Sequence, residues 1–279
     1  MDPRLQRRVQ RYGWDRAATA YDQAWSRQLR PSQDLLLELA DLDEGEEVVE
    51  VACGSGLVTQ RIASLVGPSG KVVATDLSGR MLDQARNLLA ESGADHVTFR
   101  RLDAESLELP DAAFDASLCS LGLMYVPDPP VALREMGRVL RPGGRTVVGV
   151  WGERGACGWA EVFPIVDARV NTAVCPLFFQ LGTGDNLARR MEEAGFRNLE
   201  VERITTVIEY DSPEEAVEAA FVAGPVAMAY SRFDEDTRAQ LHQEYLASIA
   251  PYAEADGFRV PGEFVLARGE WTSSSGVRK

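Results

Sequence analysis

Between residues 47 and 151 short apolar runs alternate with helical stretches, and this alternation limits what the chain can fold into more than any other feature. The runs "EVVEVACG" (47–54), "KVVATDL" (71–77), "VTFRRLD" (97–103), "FDASLCSL" (114–121) and "TVVGVW" (146–151) read as strands, with helices expected over about 57–65, 78–91 and 130–139. "LRPGGR" (140–145) breaks the last helix from the last strand. Strands separated by helices lie parallel, and a parallel sheet needs helices on both faces. Further along, 185–196 reads as a helix ended by Gly195, followed by the β-rich "LEVERITTVIEY" (199–210) and a final strand near 264–267. The expected fold is α/β, a doubly wound, mostly parallel seven-stranded sheet with helical cap insertions.

The remaining stretches divide the chain. Residues 1–45 form N-terminal helices, interrupted at Arg30-Pro31-Ser32 because proline breaks the helical hydrogen-bond ladder. A core over 46–157 is followed by a cap segment (158–184), a core helix and strand (185–211), a second helical cap (212–258), the final strand (259–271) and a polar, disordered tail (272–279). The caps are rich in Phe, Tyr, Trp and Met.

Composition removes several functions. With 29 basic against 43 acidic residues, the net charge of −14 disfavours nucleic acid and anionic membranes as partners. Lys71 and Lys279 sit in no motif that uses an amine, which argues against Schiff-base and phosphate-loop chemistry. Cys53, Cys119, Cys157 and Cys175 have neither zinc-site nor disulfide-scaffold spacing, and the polar start carries no signal-peptide pattern, so a reduced, cytoplasmic setting is expected. No apolar run approaches the ~18 residues of a membrane span, and no carboxylate–histidine cluster suggests a metal. The oligomeric state stays open, a homo-oligomer included.

The motif with chemical content is "VVEVACGSGLVTQRIA" (48–63), a strand running through Gly54 and Gly56 into a helix. Glycines without Cβ let a ligand approach the backbone, and free amides at a helix start favour an anionic group. Asp76 ends the second strand, where open α/β folds set a carboxylate against ribose hydroxyls, and Asp103 ends the third. Three successive strand ends would converge on one crevice. A tight turn and two helix caps are the plainer readings of the same residues.

With these motifs in place, residues 48–151 resemble the class I S-adenosylmethionine-dependent methyltransferases, Rossmann-like in fold, in particular the ubiquinone/menaquinone-biosynthesis (methyltransferase type 11) group. The resemblance lies in "VEVACGSG", "VVATDLSGRMLDQAR", "LDAESLELPDAAFDASLCSLGLMYVPD" and "ALREMGRVLRPGGR", in that order. Ala52 departs from it, since many relatives carry the first loop glycine there. The resemblance implies S-adenosyl-L-methionine as cofactor, with Glu50, Ala52, Gly54 and Gly56 at its methionine end and Asp76 on the ribose hydroxyls. It further implies Leu77 and Met81 near sugar and adenine, Asp103 and Ala104 on the adenine, and Ser120 near the sulfonium. Tyr21 and Trp25, in "TAYDQAW", match an aromatic N-terminal helix that covers the cofactor.

The expected reaction is in-line methyl transfer to a small, apolar or aromatic acceptor, which requires alignment and water exclusion first and a base only for some acceptors. His242 and Tyr125 are the candidates for such a base; His96 falls at the opposite end of its strand. The acceptor pocket is expected from Tyr125 and the cap residues Trp159, Phe163, Phe178, Phe179, Phe221, Met228 and Tyr230. Two other functions compete. A nicotinamide or flavin oxidoreductase would need a third small residue where this chain has Thr59. A non-catalytic or regulatory cofactor-binding protein would keep the same binding residues.

Overall fold

The computed structural model describes residues 2–90, 92–170, 177–255 and 257–272. The expected alternation folds as β1 (Glu47–Val51), α2 (Leu57–Val66), β2 (Lys71–Asp76), α3 (Gly79–Leu89), β3 (Val97–Arg101), β4 (Phe114–Ser120), α4 (Pro129–Arg138) and β5 (Leu140–Trp151), preceded by α1 (Pro3–Ala40). Strands β1, β2 and β4 are buried along nearly their whole length, as sheet strands covered on both faces must be. The sheet order is β3-β2-β1-β4-β5-β8-β6, where β6 is Phe196–Tyr210 and β8 is Gly257–Trp271; a two-residue β7 (Ala253–Glu254) pairs with β8 off this path. β1 pairs in parallel with β2 and β4, and the pairs β2–β3 and β4–β5 are also parallel. β8 runs antiparallel between β5 and β6. Chain order reverses between β1 and β4, and a crevice opens outside strand carboxyl ends at such a reversal.

Two sequence expectations change. Pro31 does not divide the N-terminal segment, and α1 continues as one 38-residue helix. Long-range anchors hold it on both sides of the proline. Glu209 N–H donates to Gln28 Oε1 (3.0 Å), Arg27 pairs with Asp211 (3.1 Å), and Leu36, Leu37, Leu39 and Ala40 are buried. Burial of this amphipathic face offsets the missing hydrogen bond. "LRPGGR" is also no break: β5 starts at Leu140, and the register with β4 jumps from Phe114–Leu140 to Ala116–Arg145, so the Pro-Gly-Gly segment is a bulge. The last strand, β8, spans 15 residues and is held by antiparallel pairing on both sides.

The caps contain α5 (Val162–Asp167) in the first, and α7 (Pro213–Val217), α8 (Ala227–Tyr230) and α9 (Glu235–Ile249) in the second; α6 (Asn186–Ala194) precedes β6 and ends at Gly195 with φ 118°. The expected tail falls outside the described residues beyond Thr272, as does Cys175. Cys53, Cys119 and Cys157 are buried and free. No helix among the described residues is long and apolar enough to cross a membrane, and the same residues hold no cluster of metal-ligating groups.

Candidate functional site

A cleft enclosing about 1030 Å³, its opening to solvent included, lies at the carboxyl ends of β1 to β5 beneath α1. Tyr21, Trp25, Ala52, Gly54, Asp76, Leu77, Met81, Asp103, Ala104 and Ser120 all line it. The structure therefore brings these expected residues together around one space.

The β1 turn is built for close approach. Gly54 has φ 56°, and a Cβ there would meet nothing within 4 Å, so its backbone faces open space. Gly56 is a glycine for another reason: at φ 90° its Cβ would fall 2.8 Å from that of Ala85, so it serves the packing of α2 on α3 and does not line the cavity. Ala52 adopts φ 57° and Leu121, after β4, φ 59°. Both are non-glycine residues in the left-handed region, and both line the cavity. The two turns touch, since a Cβ on Gly122 would lie 2.3 Å from that of Ala52.

Asp76 accepts from Gly54 N–H (2.9 Å, Oδ2) and Ser78 N–H (2.7 Å, Oδ1), which ties the β1 and β2 turns together. Burial pushes its carboxyl up to about 6 against the lowering effect of those bonds. Glu50 does not reach the cavity. It is buried beneath the turn, where Thr59 Oγ1–H donates to its Oε2 (2.5 Å), and burial pushes it up to about 8. Thr59 thus fills with a buried hydroxyl the position where a dinucleotide fold needs a small residue for close helix approach.

Helix α1 is fastened over this end at three points. Arg7 pairs with Asp103 (2.7 Å) and with Glu105, Ser78 Oγ–H donates to Asp15 (2.6 Å), and Ser55 bonds Asp22. Burial and neighbouring Asp22 and Asp76 push the Tyr21 phenol well above its ordinary value.

The other end of the cavity is aromatic. Trp25 stands 6.2 Å from both Trp151 and Trp159, ring centroid to ring centroid, and Trp14 packs edge-on against Tyr21 and Tyr125. Of the expected acceptor residues, Tyr125, Trp159 and Phe178 line the space, while Phe163 and Phe179 pack against Trp159. Phe221 and Tyr230 instead cluster with His242, whose Nε2 lies 2.8 Å from Tyr230 Oη. His242 is outside the cavity wall, and burial and Arg238 lower its pKa. His96 bonds the Ala63 carbonyl away from the cavity. Sequence reasoning missed Arg7, Trp14 and Trp151. Trp151 was legible as the carboxyl-terminal residue of a core strand; Arg7 and Trp14 depend on where α1 docks.

Comparison with known proteins agrees with this geometry. Residues 48–144 match the family described as methyltransferase domain. The ubiquinone/menaquinone biosynthesis C-methyltransferase UbiE of Hahella chejuensis is 47% identical over 105 residues, 37% of this chain and 42% of that protein. The chain spans less than half the length of the curated relatives it matches. Among solved structures, the YcgJ protein of Bacillus subtilis is similar in fold at a TM-score of 0.62, with 16% identity over 88% of this chain and 100% of that one. So is phosphoethanolamine N-methyltransferase 2 of Haemonchus contortus, solved with S-adenosyl-L-methionine (TM-score 0.60, 17% identity, 93% of this chain, 57% of that one). Over residues 48–144 the chain therefore matches the methyltransferase domain family, and over a stretch of about this length it is similar to ubiquinone/menaquinone biosynthesis C-methyltransferases.

Proposed function

We propose that this chain binds S-adenosyl-L-methionine across the carboxyl ends of β1, β2 and β3 and moves its methyl group to a small apolar or aromatic molecule. The observation that carries this reading is the division of one cavity into a carboxylate end, with Asp76 and Asp103, and an aromatic end. The residues fit the cofactor. The open backbone at Gly54 leaves room for the methionine portion, and Asp76 keeps lone pairs for ribose hydroxyls after accepting from Gly54 and Ser78. Asp103 and Ala104 lie where the adenine would rest, and buried Glu50 gives the turn a group whose ionised form a nearby cation favours.

When bound, the cofactor supplies an electrophilic methyl on a sulfonium. The chain's part is to align the acceptor with that methyl and keep water out, and rings from α1, β5 and the first cap do both. Tyr21 and Trp25 offer π faces to a sulfonium, each worth about 1 kcal/mol. Neither histidine lines the cavity and Tyr21 is held protonated; of the other titratable side chains that do line it, Asp76 and Asp103 stand at the carboxylate end and Tyr125 at the aromatic end. An acceptor that brings its own nucleophile, as an electron-rich carbon or a group already ionised in solution does, needs no base.

Isothermal calorimetry with S-adenosylhomocysteine tests the reading. Wild type should bind, and Asp76→Ala should weaken binding at least ~30-fold, the loss of charge-assisted hydrogen bonds worth about 2 kcal/mol or more. Equal affinities in the two proteins would contradict it.

A further inference from the structure

Helix α1 has an outer face that the cavity does not use. Arg7, Gln10, Trp14 and Tyr21 turn its inner face to the cavity. Leu5, Arg8, Tyr12 and Arg16, spaced three and four residues apart, share the opposite side and are all exposed, Leu5 by 37% and Tyr12 by 45%. Arg4 is exposed at the margin of this face, and Arg11 lays its guanidinium over the Tyr12 ring at 5.3 Å. The first sixteen residues hold five arginines and two aspartates, in a chain of net charge −14. Both aspartates are occupied elsewhere. Asp2 accepts from Arg4 N–H (2.9 Å) at the helix start, and Asp15 accepts from Ser78 Oγ–H (2.6 Å) and Arg80 N–H (3.2 Å). Arg4, Arg8, Arg11 and Arg16 pair with no acid among the described residues. Elsewhere on the surface, by contrast, Arg30, Arg86 and Arg190 each pair with an acid three or four residues away.

We propose that this outer face docks on an anionic lipid bilayer, with Arg4, Arg8, Arg11 and Arg16 at headgroup phosphates and Leu5 and Tyr12 entering the boundary of the hydrocarbon. The inference goes beyond the function proposed above and does not depend on it. Basic residues interleaved with apolar ones on one helical face match a layer of anionic headgroups over an apolar interior, and such docking strengthens with buried apolar area and with attraction to anionic lipid. A nucleic acid offers the phosphates without the apolar layer, which leaves Leu5 and Tyr12 no partner. The net charge of −14 does not forbid the contact. Charges further off than a Debye length, about 8 Å at physiological salt, are screened, so local sign decides where the surfaces meet. Arginine suits the place, since its planar guanidinium can hold a phosphate through two hydrogen bonds. Because the inner face of the same turns lines the cavity, docking sets the cavity about 10 Å, one helix diameter, from the lipid.

Co-sedimentation of the full chain with lipid vesicles tests this. Wild type should pellet with vesicles of phosphatidylcholine containing about one third phosphatidylglycerol, stay in solution with pure phosphatidylcholine, and be released as salt rises from about 0.1 to 0.5 M. Arg8→Gln/Arg16→Gln should weaken binding to the anionic vesicles about twentyfold, roughly fivefold for each basic residue at the surface. Leu5→Ser/Tyr12→Ser should weaken it several-fold with the charge unchanged. None of these four side chains lines the cavity, so both variants should keep the wild-type melting temperature and affinity for S-adenosylhomocysteine. Wild type sedimenting equally with both kinds of vesicle, or with neither, overturns the proposal. Undiminished binding by either variant does the same, and so does release from the anionic vesicles by duplex DNA at equal phosphate concentration, which would make the face a nucleic-acid surface. Should a variant fail to fold, the lipid and salt dependence of wild type still decide. If S-adenosylhomocysteine does not bind wild type, the proposed function falls, while vesicle docking is judged on its own result.

Discussion

Asp76 in the cavity wall and Glu50 buried beneath it show how burial sets the chemistry of single residues. Both carboxyls are pushed up by loss of solvent, Asp76 to about 6 and Glu50 to about 8. A carboxyl raised in the folded state binds more protons there than in the unfolded chain, so its contribution is most stabilising at low pH and is lost as pH rises. For Glu50 the loss runs from its ordinary value of 4.5 to about 8. Glu50→Gln, which stays neutral, should therefore melt increasingly above wild type as pH rises through that window, as thermal scans between pH 5 and 8 will show. Ligand binding has the opposite sign at Asp76. Ribose hydroxyls favour its ionised form, so affinity for S-adenosylhomocysteine should fall below pH ~6, approaching tenfold per pH unit, and calorimetry across pH 5–7.5 measures it. Gly122→Ala would drive a methyl into Ala52 and separate the two strained turns. An overpacked site of this kind costs about 1–3 kcal/mol and should lower both melting temperature and cofactor affinity.

Helix α1 carries more of the cavity than any other element, and its behaviour departs most from local rules. Proline in a helix interior costs about 3 kcal/mol, and Pro31 is retained because anchors to β6 and buried leucines hold both flanks. Pro31→Ala should raise stability, by about 1–3 kcal/mol once the greater freedom of the unfolded chain is allowed for, read from denaturant midpoints. The strands β1, β2 and β4 could be read from their apolar runs because burial on both faces leaves that imprint. The continuity of α1 could not, since it depends on Glu209 and Asp211, some 180 residues away. The same holds for the site. Asp76 and Asp103 were legible as acids at strand ends, whereas Arg7 and Trp14 enter the wall only through docking, and the aromatic caps did not reveal which rings face the cavity. His242 looked available by count, yet tertiary packing gives it to Tyr230 and Phe221.

At the scale of the molecule, the parallel half of the sheet supplies a reversal of strand order, and the long antiparallel pair β6 and β8 extends the sheet beyond β5. The first cap and α1 close over the carboxyl ends, so the carboxylate end and the aromatic end of the cavity share one enclosure. The account stands on where an adenosyl group would lie. A crystal structure with S-adenosylhomocysteine should place ribose hydroxyls within hydrogen-bond distance of Asp76, adenine beside Asp103 and Ala104, and the sulfur facing the aromatic end, with Trp25 and Ser120 nearby. The nucleoside elsewhere on the protein, or bound in this cavity with its ribose turned away from Asp76, would contradict it.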